Sequence, residues 1–182
     1  RMQVVTGAFD AADDWIAERA GPDDIVVVLD DLSGGYRRNV PAGAELQKGS
    51  VADAAFVDAL FTERRFDYVF HLAAYAAEVL SHFIRGHNYR VNLLGSVNLI
   101  NAAVRHEASG FVFTSSIAVY GNGSGPFREQ DVPVPDDPYG IAKLADLGMA
   151  RETDDFVLAR AEKGVTIGTP FYISPEQVRG QE

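Results

Sequence analysis

Ile25-Val26-Val27-Val28-Leu29-Asp30-Asp31-Leu32 decides how this chain folds. Val26 to Leu29 are apolar without interruption, and three of the four are β-branched. A strand with one wet face alternates apolar and polar residues, whereas an unbroken run suits a strand covered on both faces of a parallel sheet. Outward from this run, residues 3–6, 45–48, 68–72 and 111–114 read as further strands. Between them lie helical stretches at residues 10–20, with Trp15 and Ile16 facing inward, at 52–64, with Phe56, Leu60 and Phe61 on one face, and at 91–106. Residues 121–138, rich in Gly, Pro and Asp, read as a loop. Strands and helices alternating with short joins predict an α/β fold, a Rossmann-type doubly wound parallel sheet. Ligands of such sheets bind at the carboxyl ends of the strands, where the strand order reverses.

The 182 residues suit one domain with a sizeable core, and 47% hydrophobic with 23% charged residues is ordinary globular composition. A formal net charge of -10 argues against nucleic acid or an anionic membrane as partner. Cysteine is absent, which excludes disulfides and thiolate metal sites, and His71, His82, His87 and His106 lack metal-ligand spacing, so no metal is expected. No apolar run approaches the roughly 20 residues of a membrane span and no signal peptide is visible, which predicts a soluble, cytoplasmic protein. The start at Arg1 and the stop at Glu182 both read as truncations.

Six short motifs occur in order over residues 2–145: Val5-Thr6-Gly7, Leu29-Asp30-Asp31-Leu32, His71-Leu72-Ala73-Ala74, Asn92-Leu93-Leu94-Gly95, Ser115-Ser116-Ile117-Ala118-Val119-Tyr120-Gly121 and Tyr139-Gly140-Ile141-Ala142-Lys143. Together they resemble the extended short-chain dehydrogenases, in the branch of NAD-dependent nucleotide-sugar epimerases and dehydratases. The resemblance implies NAD as cofactor, a nucleotide-sugar substrate, and hydride transfer at a sugar carbon. It implies Ser116, Tyr139 and Lys143 as catalytic residues. Gly7, Asp30, Asp31, Leu72, Ala73, Ala74, Asn92, Tyr139 and Lys143 would contact or support the cofactor.

Physical chemistry gives those roles content. A tyrosine that shuttles a proton has a free pKa near ~10, so it needs a neighbouring cation to ionise at neutral pH. Lys143, one helical turn on, can supply it, while Ser116 can orient the substrate hydroxyl. Asp30, ending a strand, stands where a carboxylate would accept hydrogen bonds from the adenosine ribose. The bland alternatives are His71 as a packed strand-end residue and Asn92 as a cap on interior backbone groups.

The first turn departs from the family pattern Thr-Gly-x-x-Gly-x-x-Gly. Asp10 and Asp13 replace its second and third glycines, where the backbone would approach a pyrophosphate at a helix N-terminus. Asp10 suits an N-cap, and Asp13 suits the electropositive first turn. A carboxylate about 5 Å from a phosphate costs on the order of 3 kcal/mol at an effective dielectric of 20, so NAD affinity is expected to fall by orders of magnitude. Gly49-Ser50 replaces the frequent Gly-Asp pair, Ala76 stands where several relatives place a lysine, and the nucleotide-sugar lobe is expected to be missing.

Residues 143–182 resemble a serine/threonine kinase activation segment. Asp146-Leu147-Gly148 stands for the metal-binding motif and Ser174-Pro175-Glu176 for its far end, with Gly168-Thr169-Pro170 between. In a kinase the aspartate holds Mg²⁺ on the phosphates. No phosphate loop, nucleotide-anchoring lysine or catalytic loop precedes this stretch, so Asp146 reads as an exposed helix carboxylate. The two resemblances overlap at Lys143-Leu144-Ala145. That predicts a chimera (a natural fusion, a gene-model error or a design) with a domain over 1–145 and a loosely packed tail over 146–182. Two rivals to the enzyme reading are an inactive Rossmann module, pairing as a homodimer through helices 91–106 and 139–150, and a kinase-derived regulatory fragment.

Overall fold

Val27 and Leu29 pack into one apolar cluster with Val4, Val57, Leu60, Phe61 and Leu99, while Val26 packs with Val5 into another on the opposite face. Alternate residues of a single strand thus enter two different cores, which is why the run at 26–29 has no polar phase. A computed structural model describes residues 1–7, 20–123, 125–128 and 130–146. The expected helix over 10–20 lies outside the described residues except for Ala20. So do Asp10, Asp13 and the tail beyond Asp146.

Five strands form one sheet: β1 (Met2–Thr6), β2 (Ile25–Asp30), β3 (Glu45–Lys48), β4 (Tyr68–His71) and β5 (Gly110–Phe113). Their order is β3-β2-β1-β4-β5, and every pair is parallel. The chain runs outward to β3, then returns to the other side of β1, so the order reverses between β1 and β4. The register aligns Leu29, Thr6, His71 and Phe113 in one row across the sheet. Asp30, Gly7, Leu72 and Thr114 follow that row directly, and they form the carboxyl edge on which a ligand site is expected.

Helix α1 (Ala54–Arg64) is capped by Asp53, whose side chain accepts from Phe56 N at 3.0 Å, and it ends at Arg65 in the left-handed region. It buries Val57, Leu60 and Phe61 against the sheet. The second long helix begins earlier than its apolar pattern suggests. Arg85–Asn88, a π-helical stretch Tyr89–Leu94 and Gly95–Arg105 run on as one helix, α2. Its start is polar inside: Asn88, Asn92 and Ser96 are all fully buried. In an ideal α-helix, eight residues would carry Ser96 about 80° round from Asn88. The wider π turn removes that drift and keeps the three polar side chains on one buried stripe. Among the described residues no helix is long and apolar enough to cross a membrane.

Candidate active site

Helix α3 is described over residues 138–146. Asp137 caps its start, with Oδ1 accepting from Tyr139 N at 2.7 Å and Gly140 N at 3.0 Å. The Ser81 hydroxyl reaches the same oxygen at 3.4 Å, and Asn88 Nδ2 donates to Pro138 O at 2.9 Å. Gly140 lets the helix press onto the 3-10 turn Ile117–Tyr120, since a Cβ there would lie 2.4 Å from Ala118 O. These contacts bring Tyr139 to Ser116. Ser116 in turn caps the 3-10 turn, its Oγ accepting from Ala118 N at 3.2 Å.

The three residues expected to be catalytic therefore sit together at the carboxyl end of β5. Burial raises the Tyr139 phenol above its usual value, the Ser116 hydrogen bond draws it down, and the charges of Glu78 and Asp137 push it up. Lys143 is fully buried. Its Nζ donates to Thr114 O at 3.1 Å and lies 4.7 Å from the centre of the Phe113 ring. Burial lowers Lys143 to about 8, opposed by the charge of Asp146. The Ser116 hydrogen bond eases ionisation of Tyr139.

The residues expected on the cofactor side line the same edge. Gly7 is buried with φ 94°, a conformation that L side chains rarely adopt, and its N–H donates to Leu29 O at 2.9 Å. Asp30 ends β2 and accepts from Leu32 N, while the exposed Asp31 accepts from Ser33 N at 2.8 Å. Leu72 N donates to Thr6 O at 3.2 Å and Ala73 N to Thr6 Oγ1 at 3.1 Å, which seats Leu72-Ala73-Ala74 beside β1. Asn92 clamps the next residue, accepting from Tyr75 N at 2.7 Å and donating to Tyr75 O at 3.2 Å, so it is an interior support for this loop. Thr114 Oγ1 and Ser115 Oγ are buried at the same edge without a hydrogen-bond partner among the described residues. An unfilled pair of hydroxyls, a turn at Gly7 without a side chain and a carboxylate at the end of β2 fit a dinucleotide laid across this edge.

Asp146 overturns an expectation. It is not an exposed helix carboxylate: it is fully buried, and Ser96 Oγ lies 2.9 Å from its Oδ2. Ser96 also meets His71 Nε2 at 2.9 Å and Asn92 O at 2.6 Å, and His71 Nδ1 meets Thr6 Oγ1 at 2.8 Å. Burial, then the charge of Lys143, hold His71 well below its ordinary value, so the ring is neutral. The sequence reading quoted Thr6 only within a motif and gave no role to Thr6, Ser96 or Asp137. Its only available signal was the four-residue spacing of Asn88, Asn92 and Ser96.

Strand order and the carboxyl-edge site define a Rossmann-type dinucleotide fold. Residues 16–155 match the model of the NAD dependent epimerase/dehydratase family, and the chain belongs to that family. It is 36% identical over 127 residues to a UDP-glucose 4-epimerase of Azospirillum brasilense, covering 69% of this chain and 36% of that protein. It is also 36% identical over 128 residues to a dTDP-glucose 4,6-dehydratase of Streptomyces antibioticus, covering 68% of this chain and 38% of the relative. The structure of the UDP-glucose 4-epimerase of Thermus thermophilus in complex with NAD is similar, with a TM-score of 0.77 at 30% identity over 85% of this chain and 51% of that one. The chain thus spans little more than a third of the length of these curated relatives.

Proposed function

We propose that this chain is the cofactor-binding part of an NAD-dependent nucleotide-sugar epimerase or dehydratase. The observation that carries this reading is the meeting of Tyr139 with Ser116 on a helix whose Lys143 is held at the end of β5. Bound NAD would supply the hydride acceptor for a sugar carbon. Tyr139 takes the proton from the substrate hydroxyl and later returns it, and Ser116 orients that hydroxyl. Because burial favours the neutral phenol, the reaction depends on the Ser116 hydrogen bond to make the phenolate accessible, and a positive charge at Lys143, one turn on, would favour it further. Gly7 and the two free hydroxyls of Thr114 and Ser115 would receive the cofactor, with Asp30 on its ribose.

A second reading, the inactive module pairing through helices 91–106 and 139–150, draws support from Leu94 and Ile141, which are about half exposed on those helices. The kinase-derived reading draws none from Asp146, whose buried carboxylate faces Ser96 rather than solvent. Calorimetric titration with NAD separates the two remaining readings. Binding in the micromolar range supports the enzyme, and silence up to millimolar NAD supports the inactive module.

A further inference from the structure

Ser96 is the hub of a buried polar chain that no catalytic role described above uses. Its single hydroxyl lies within hydrogen-bond distance of His71 Nε2, Asn92 O and Asp146 Oδ2. Counting protons along the chain fixes its direction. The direction is set at Ser96, whose one proton is already claimed by two oxygens, Asn92 O and Asp146 Oδ2. The neutral ring therefore carries its proton on Nε2 and donates to Ser96 Oγ, and its Nδ1 accepts from the Thr6 hydroxyl. Ser96 then has one proton for two oxygens. If Asp146 is ionised, Ser96 donates to it. If Asp146 is protonated, it donates to Ser96, and Ser96 turns its own proton to Asn92 O.

Lys143 lies three residues before Asp146 on the same helix, a spacing that puts both on one face. Both are buried, and neither can obtain a counter-charge from solvent. We propose that Asp146 is a positioning residue of this site, its carboxylate serving as the counter-charge of Lys143 and, through the Ser96 hydroxyl, as the anchor of the His71 ring. The titratable groups packed around the pair are His71 from β4 and Tyr139 from α3 itself, while β5 offers the Thr114 carbonyl and the Phe113 ring, and α2 offers Ser96 and Asn92. Among the described residues, Asp146 is the one carboxylate whose charge acts on Lys143. Its meaning for hydride transfer rests on the proposed function, but the electrostatic link is independent of it.

The sequence holds three lysines, Lys48, Lys143 and Lys163, so the Lys143 side chain can be assigned by NMR with a Lys143→Arg control. Titration of its ¹⁵Nζ and ¹³Cε signals, without NAD, reads the link directly. In Asp146→Asn the Lys143 midpoint is expected to fall, with proton affinity weakened about tenfold or more. An unchanged midpoint in folded Asp146→Asn overturns the proposal. Should that variant fail to fold, Ser96→Ala keeps the carboxylate and removes its hydrogen bond. There the Asp146 ¹³Cγ midpoint is expected to rise, and an unmoved midpoint overturns the proposal equally. Neither readout requires NAD or turnover, so a failed NAD titration would reject the proposed function and leave this result standing.

Discussion

Lys143 Nζ and the Thr114 carbonyl oxygen stand 3.1 Å apart, and this bond ties helix α3 to the end of β5. It places a buried ammonium beside the two unpartnered hydroxyls of Thr114 and Ser115. Removing it loses both a hydrogen bond and the only cation within the triad. Lys143→Met, similar in length and apolar, strips the buried Asp146 of its counter-charge and is expected to lose stability near neutral pH, by up to about 3–5 kcal/mol. On the proposed function, NAD-linked turnover would fall by two orders of magnitude or more, about the usual weight of an acid–base group. Urea unfolding and a turnover assay of the same variant check the two halves separately.

The cap at Asp137 is the point where position and stability are joined. Asp137→Ala strips three contacts from one buried oxygen, two of them to the first N–H groups of α3. A loss of about 1–2 kcal/mol is expected from the cap alone. Asp137→Asn, which keeps an acceptor, is expected to recover most of it. Equal losses in the two variants by chemical denaturation would show that the cap is not what holds α3.

Gly140 is required by space. Alanine there would set its Cβ against Ala118 O, a backbone atom with little freedom to retreat. Gly140→Ala is expected to destabilise by about 1–3 kcal/mol, as overpacking does, despite alanine's better helix propensity. A melting temperature equal to or above the parent's would contradict the packing of α3 on residues 117–120.

The buried pair makes stability depend on pH with a definite sign. Burial raises Asp146 from 3.8 to about 7, against the pull of the Ser96 hydrogen bond and Lys143. Between these values the folded state holds a proton that the unfolded state has lost, so this group's stabilisation is full below about 4 and lost as pH rises through about 7. Lys143, lowered from 10.5 to about 8, acts in the other direction, and its contribution grows as pH rises from about 8 to about 10.5. Urea unfolding of the parent and of Asp146→Asn at pH 4 and pH 7 should show the parent losing more, by a few kcal/mol at most. Parallel curves for the two proteins would remove Asp146 from the account.

The first turn offers a gain-of-function test. Asp10 and Asp13 lie outside the described residues, but their charge and position in the sequence are fixed. Replacing both with glycine is expected to raise NAD affinity at least tenfold (about 1.4 kcal/mol), and more at low salt, where repulsion is least screened. An affinity that does not move would show that the two aspartates do not weaken NAD binding.

The sheet was legible because a strand buried on both faces writes itself as an unbroken apolar run, and Val26 to Leu29 do so. Ser116, Tyr139 and Lys143 could be picked out from the motifs that carry the family resemblance, and Tyr139 with Lys143 also from their one-turn spacing. What escaped was polar and interior. Nothing in the letters Asn88, Asn92, Ser96 and Asp146 distinguishes a solvated face from a buried stripe. Only tertiary packing, with a π turn that keeps three of them aligned, reveals that they face inward. The role of Lys143 was half legible: its helix and spacing were, but the Thr114 carbonyl that claims its ammonium lies 29 residues away in the chain.

On the proposed function, NAD lies across the carboxyl edge formed by β1, β2, β4 and β5. Amide ¹H–¹⁵N spectra recorded while NAD is added to the chain, and to the variant with glycine at positions 10 and 13, test it at residue resolution. Saturable shifts are expected at Gly7, Asp30, Ala73, Ala74 and Thr114 to Ser116, with tighter binding in the glycine variant. Unperturbed amides at that edge in both proteins at millimolar NAD, or shifts confined to the opposite end of the sheet, would contradict it.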